Sequence, residues 1–386
     1  MSYSKSIELL RDYVAIPSVN PMGRSDMPAA IAGETRLAEH LLEQLRGMGF
    51  DARCIGEGDR QSVVAEVTVS GAIDTLLFAS HIDTVPIDGM EIDPFDPVVT
   101  GGRLQGRGSC DTKAGMAAFV AALEKTAANG SLRRNVVLLG EADEEFGGLG
   151  VDDSLAAFAS TALDIDWVLA SEPTNLQVVH AHKGVAVMRL ETHGRACHAS
   201  APDDGENALV ALARVITALD DHAADLALRS HPQLGPPTLS VGRAGGGTAS
   251  NIVPDAAWLE LDRRLVPGEN AESIRRDIEG VLAAAGVDGV SISLCAAKAP
   301  LETPLDHAAV RSCIKALESA GLPPETTSVA FGTDAGPFAE AGLPGVVLGP
   351  GSIEQAHTSR EFIETAQVDA ATRLFEALLS GETPSE

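Results

Sequence analysis

Cysteine is scarce: five residues, Cys54, Cys110, Cys197, Cys295 and Cys313, odd in number and scattered. No C-x-x-C occurs. That fits a reducing cytosol and excludes a disulfide framework. Long apolar runs are missing too. Nothing approaches the ~18 consecutive apolar residues of a membrane span. The opening stretch "MSYSKSIELLRDYVAIPSVNP" lacks the apolar core of a signal peptide and reads as an amphipathic helix. A cytoplasmic protein is expected. Positive charge is outnumbered, with 28 basic against 55 acidic residues and a net charge of −27. No basic cluster stands out, which argues against nucleic acid or an anionic membrane as partner. The acidity serves solubility, with attraction of cationic ligands or divalent metal as the second reading.

Several chemistries are excluded by missing motifs. There is no G-x-S-x-G elbow for a nucleophilic hydrolase. There is no G-x-x-x-x-G-K-[ST] loop, and no G-x-G-x-x-G between a strand and a helix, for a nucleotide-binding enzyme. Glu144 and Glu145 are adjacent, so they do not suit a glycosidase, whose two carboxylates flank one bond at ~5 Å or more. Internal repeats, low-complexity segments and Pro/Ser-rich linkers are also lacking.

What is present is globular. The chain has 386 residues, 45% of them apolar, and 38 glycines. At roughly 100–200 residues per domain this suggests two domains, with three as the alternative. From about residue 34 to 180 helix and strand patterns alternate. "GETRLAEHLLEQLRGMGF" is a periodic helix stopped by Gly49, "SVVAEVTV" and "TLLFAS" are strands, and "KAGMAAFVAALEKTAANG" is an Ala-rich helix. "NVVLLG" and "DWVLAS" are short apolar runs of the kind found in a sheet covered on both faces. The alternation predicts an α/β layer architecture. The middle reads as strand "GVAVMRLETH", helix "ENALVALARVITALDDH", strands "PTLSVGRA" and "AWLELDRRLV", helix "NAESIRRDIEGVLAAAG" and strand "GVSISLCA". That β-α-β-β-α-β order is ferredoxin-like. The expected organisation is an α/β domain over 1–181 and 297–386, interrupted by an insert over 182–296.

Function in such sheets gathers where strands end. "TLLFASHIDTVP" ends an apolar run on His81 and Asp83, two residues apart and so on one side of an extended strand. "NVVLLGEA" leads to Asp143, Glu144 and Glu145, "DWVLAS" to Glu172, and "GVVLGPGSIEQA" to His357. Asp111 lies just ahead of a helix in "GRGSCDTKAGM". Singly these are ordinary: a strand-end histidine, a solvated acidic run, an N-cap aspartate. Together they supply the mixed N/O donors that suit Zn²⁺, Mn²⁺ or Co²⁺. A pair of metals ~3.5–4 Å apart needs one shared anion and about two further ligands each. Asp111, His81, Glu172, Glu145 and His357 make that count. Glu144 is left as a base, and Asp83 as a partner that orients His81.

"SHIDTVP", "GRGSCDTKAG", "EADEEFGGLG", "ASEPTN" and "GPGSIEQAHTSREFI" resemble, in order, the motifs of the M20 family of metallohydrolases. This group includes acetylornithine deacetylases, succinyl-diaminopimelate desuccinylases, aminoacylases and glutamate carboxypeptidases. The likeness runs from "LLRDYVAIPSVNP" to "SREFI", nearly the whole chain. It implies a zinc-peptidase-like catalytic domain with an inserted ferredoxin-like lid that dimerises. It implies two divalent metal ions, Zn²⁺ first, with Co²⁺ or Mn²⁺ as alternatives. His81 and Glu172 would hold one ion, Glu145 and His357 the other, with Asp111 between them. Glu144 matches the general base and Asp83 the carboxylate orienting His81. "HGRACHASAPDDGENA" resembles the segment whose histidine, here His198, reaches a partner subunit's site. "GGGTASNIVPDAA" points to Asn251, and "LDRRLVPGE" to Arg264, whose guanidinium is suited to grip a substrate carboxylate bidentately. On a strand, Arg263 would face the other way. "FGTDAGPF" points to Gly332 and Thr333 as pocket residues; the plain alternative is a turn built for its glycine. The resemblance implies hydrolysis of a short N-acyl group from an amino acid, closest to the acetylornithine deacetylase branch. An M20-type dipeptidase or carboxypeptidase is the alternative, and an inactive binding homologue the remote one. The substrate would be a small N-acyl amino acid or dipeptide.

Overall fold

The computed structural model describes residues 3–159 and 164–381. These form two compact units. One runs to His180 and resumes over Thr303–Thr327 and from Thr333 onward; the other comprises Ala181–Glu302 and Ser328–Gly332.

In the first unit, the strands Asn135–Glu141, Thr75–His81, Trp167–Ala170 and Gly345–Val347 stand side by side in that order, all parallel. Arg60–Val67 adds antiparallel beside Asn135–Glu141, and Asp51–Glu57 adds antiparallel beside it. The apolar runs are strands because both faces are covered. Every residue of Thr75–His81 is buried. Its side chains alternate between two cores, as a period of two requires. Leu76 and Phe78 join Val136, Leu138, Trp167 and Leu169 on one side. Leu77 and Ala79 join Val137, Leu139 and Val168 on the other.

Helix Lys113–Ala128 lies on the first side, packed against Lys5–Ala15 and Thr365–Ser380. Its alanines let it sit close to the sheet, and Phe119 stacks on Phe78 with ring centroids 3.7 Å apart. The second side is closed by Val151 and Phe158 of Leu149–Phe158 and by Phe338 of Ala335–Glu340. A small antiparallel sheet of Val99–Thr100, Arg103–Gln105 and Phe362–Glu364 joins the entry to helix Lys113–Ala128 to the C-terminal segment.

The second unit has the ferredoxin-like order. Strands Gly184–His193, Thr238–Gly246, Ala256–Leu265 and Val290–Lys298 form one antiparallel sheet. Helices Ala208–Leu226 and Ala271–Ala284 contribute Leu212, Val215, Leu219, Ile274, Ile278 and Leu282 to its core. Strand Gly184–His193 alternates buried and half-buried positions over most of its length, the pattern of a sheet covered on one face. The unit also takes in Ser328–Gly332, a return of the chain that no local pattern in "TTSVAFG" announces.

Candidate metal centre

Side chains gather at the carboxyl ends of the four parallel strands. His81 is the last residue of its strand; Glu144 and Glu145 follow Asn135–Glu141, Glu172 follows Trp167–Ala170, and His357 follows Gly345–Val347. Asp111 comes from the loop ahead of helix Lys113–Ala128. Parallel strands aim their C-terminal loops at one edge, so residues distant in sequence meet there.

Asp111 turns one oxygen to each histidine. Its Oδ1 is 3.1 Å from His81 Nε2, and its Oδ2 is 3.2 Å from His357 Nε2. Glu172 lies 3.9 Å from His81 Nε2, and Glu145 3.1 Å from His357 Nε2. Two triads result, His81–Asp111–Glu172 and Asp111–Glu145–His357. Within each, the potential ligand atoms lie within 4.8 Å of one another.

The surroundings hold these groups in place. His81 Nδ1 is 3.0 Å from the Asp83 carbonyl and 3.4 Å from its carboxylate. Fully buried Asp83 also accepts the backbone N–H groups of Glu144 at 3.2 Å and Glu145 at 3.1 Å. One carboxylate therefore orients a histidine and the Glu144–Glu145 pair together. Asn20 donates to Asp83 at 3.0 Å and to Asp143 at 2.9 Å. Asp143, in left-handed backbone geometry, accepts the N–H groups of Gly147 and Leu149 at 3.2 Å and closes the loop carrying the glutamates. Buried Glu361 accepts the backbone N–H of Asp111 at 3.1 Å. The sequence patterns single out neither Asn20 nor Glu361, and they place Asp143 beside Glu144 and Glu145 without a role of its own. Their work is hydrogen bonding across distant segments, which leaves no periodic trace.

Electrostatics mark the cluster. Burial pulls the His81 imidazole down, but Asp111 and Asp83 outweigh it and hold it well above its ordinary value. Hydrogen bonds to Asp111 and Glu145 push His357 up to about 10. Burial raises Glu172 and Glu145, partly offset by His81 and His357 respectively. Asp111 is held below the usual carboxylate range, because its two histidines overcome its burial. Three carboxylates crowded at low dielectric gain when a multivalent cation joins them. Imidazole plus carboxylate donors in each triad suit Zn²⁺, Mn²⁺ or Co²⁺, so the residues fit a pair of divalent ions.

The remaining expected residues lie elsewhere. In the second unit, exposed His198 bridges Ile252 through its backbone, and the Ala199 N–H bonds the Asn251 carbonyl at 3.0 Å. His198 and Asn251 therefore occupy neighbouring loops. His198 Nδ1 is 2.7 Å from Ser200 Oγ. Arg263 is buried and bonds Glu269 at 2.7 Å. Arg264 faces the open side of the same strand, where it grips Asp262 through two hydrogen bonds of 2.9 and 3.1 Å. A Cβ on Gly332 would lie 3.0 Å from the Lys183 carbonyl, a close approach that explains glycine there. Thr333, in the first unit, is buried and accepts the Ala335 N–H at 3.2 Å.

The chain is similar to known proteins over nearly its whole length. The model of Peptidase family M20/M25/M40 matches residues 77–381. The acetylornithine deacetylase of Proteus mirabilis (strain HI4320) is 31% identical, over 97% of this chain and 95% of that protein. The N-acetyl-L-citrulline deacetylase of Xanthomonas campestris pv. campestris is 31% identical, over 98% of each. Among solved structures, the M20 family metallo-carboxypeptidase Sso-CP2 of Sulfolobus solfataricus superposes with a TM-score of 0.81 over 98% of this chain and 99% of that one, at 22% identity. The chain belongs to peptidase family M20/M25/M40 and is a metal-dependent hydrolase of amide bonds.

Proposed function

We propose that this protein removes a short acyl group from the nitrogen of an α-amino acid. The observation that carries the reading is the pair of triads sharing Asp111, with Glu144 beside them, in a chain 31% identical over nearly its full length to proteins named as deacetylases of N-acetyl amino acids. His81 and Glu172 would hold one divalent ion, Glu145 and His357 the second, and Asp111 both. Bound ions supply Lewis acidity, which polarises the acyl carbonyl and makes water easier to deprotonate. Glu144 takes a proton from the attacking water and passes it to the leaving nitrogen as the C–N bond breaks, giving an amine and a carboxylic acid that then ionises. Asp83, which accepts the Glu144 N–H, holds the backbone that carries the base. Arg264 and Asn251 would recognise the amino-acid part, and Gly332 and Thr333 would line its pocket. His198 of the partner subunit would donate to the developing oxyanion. The reading includes Zn²⁺ as the resident metal, a homodimer formed through the ferredoxin-like unit as a lid, and a cytoplasmic location.

An M20-type dipeptidase or carboxypeptidase is the second reading, and the superposition with a metallo-carboxypeptidase keeps it in view. A panel of N-acetyl, N-succinyl and N-formyl amino acids and dipeptides, assayed with Zn²⁺, Co²⁺ or Mn²⁺ and with a chelator, separates them. Chelator-sensitive release of free amino acid from N-acetylated substrates supports the proposal. Preferred turnover of dipeptides replaces it with the second reading. Metal uptake with no turnover of any substrate makes the chain a binding homologue.

A further inference from the structure

The loop that delivers Asp111 has no regular structure of its own, yet Asp111 must hold its two oxygens toward two separate histidines. Its anchor comes from some 250 residues away in sequence. Glu361 is fully buried, and its carboxylate accepts four hydrogen bonds from this loop. Oε1 takes the N–H groups of Cys110 at 2.9 Å and Asp111 at 3.1 Å. Oε2 takes the Gly108 N–H at 3.1 Å and an Arg107 guanidinium N–H at 2.7 Å. The Glu361 carbonyl accepts the Gly106 N–H at 3.2 Å, and the strand that follows, Phe362–Glu364, pairs with Arg103–Gln105. Glu361 also lies four residues after His357, whose side chain is largely exposed and whose backbone is left-handed. At the exposed edge of this segment Glu91 donates its N–H to the Ser359 carbonyl at 2.9 Å and accepts Arg360 Nε at 2.7 Å; the nearest buried side chain downstream of His357 is Glu361.

We propose that Glu361 is a positioning residue of the metal centre, locking the 107–111 loop and the His357 segment together so that Asp111 and His357 meet at ligand distance. The inference rests on the metal-centre reading above. The required chemistry is specific. All four donors need an acceptor, and each oxygen serves two of them. Glutamine would turn an amide N–H₂ toward two N–H donors on one side, so the loop must shift. Aspartate keeps both acceptors but is one methylene shorter and cannot reach all four donors. Losing a group that orients a ligand costs about 10- to 100-fold in metal affinity.

The test compares wild type, Glu361→Gln, Glu361→Asp and Asp74→Asn. Asp74 is a control: it pairs with Arg134 and accepts Trp167 Nε1 at 3.0 Å, away from the loop. Co²⁺ affinity by chelator competition and the Co²⁺ absorption spectrum are read alongside unfolding of the metal-free proteins. Expected are about 10- to 100-fold weaker Co²⁺ binding and an altered spectrum in Glu361→Gln, a smaller loss in Glu361→Asp, and wild-type binding in Asp74→Asn. Wild-type Co²⁺ affinity and spectrum in Glu361→Gln, with only reduced stability, would overturn the proposal and make Glu361 a fold staple. If Glu361→Gln does not fold, Glu361→Asp decides by the same two criteria. A wild-type protein that binds no Co²⁺ sinks the metal-centre reading itself, a result distinct from either.

Discussion

Metal uptake should release protons, and the number follows from the cluster. In the metal-free protein Asp111 and Asp83 hold His81 well above its ordinary value, while Asp111 and Glu145 push His357 up to about 10. Both imidazoles therefore carry a proton at pH 7. A histidine must lose that proton to ligate a metal. Loading both triads should release two protons from the histidines, one per triad. The affinity of each triad should rise by at least about tenfold per pH unit between pH 6 and 8. Glu145 and Glu172, raised by burial, add to the count wherever they are still protonated, as would water ionised at the loaded centre. Two is thus a lower bound. The assay is titration calorimetry of chelator-stripped protein with Zn²⁺ in buffers of different ionisation enthalpy, whose slope reads protons directly. In Asp111→Asn the carboxylate facing both histidines is gone, and NMR titration of the metal-free variant should show both imidazoles falling toward their ordinary value. Full metal binding at pH 7 with no proton release would refute the reasoning, because the histidines would then be neutral beforehand and the carboxylates would not be what holds them.

Glu144→Gln should lower kcat by about 100- to 10,000-fold while metal stoichiometry by elemental analysis stays at the wild-type value; loss of metal would make Glu144 a ligand instead of the base. Arg264→Ala should cut kcat/KM on N-acyl amino acids about 10- to 100-fold, mainly through KM, and leave turnover of the corresponding amino-acid amides unchanged; equal losses on both would detach Arg264 from carboxylate recognition. Away from the centre, burial lowers His182 from 6.5 to about 4. The unfolded chain binds this proton below pH 6.5 and the folded one only below about 4, so stability is complete above 6.5 and falls as pH drops through that window, by about 3 kcal/mol in all. Urea unfolding of wild type and His182→Gln at pH 7, 5.5 and 4.5 should show the gap between them changing in that direction; a gap independent of pH would exclude the buried neutral histidine.

Much of the fold was legible because it is written locally. "TLLFAS" and "NVVLLG" are continuous apolar runs, and a strand buried on both faces needs nothing else to declare itself. The ferredoxin-like order of the middle segment followed from a change of period, two to 3.6 and back. The ionisable residues after those runs were visible as candidates, since a parallel sheet carries its chemistry past its strand ends. Less legible were the short strands Arg103–Gln105 and Phe362–Glu364, each three residues long and too brief for any period.

The amino-acid order alone determined which residues can ligate, which can shuttle a proton, and which segments must be buried, since those properties belong to side chains and their near neighbours. Only the tertiary structure decided that Asp111 turns one oxygen to His81 and the other to His357, that Arg264 already grips Asp262, and that Asn20 and Glu361 brace the centre. Those facts depend on distances between segments up to some 250 residues apart. Such distances are set by how strands stack and loops converge, and no stretch of sequence short enough to carry a pattern contains them.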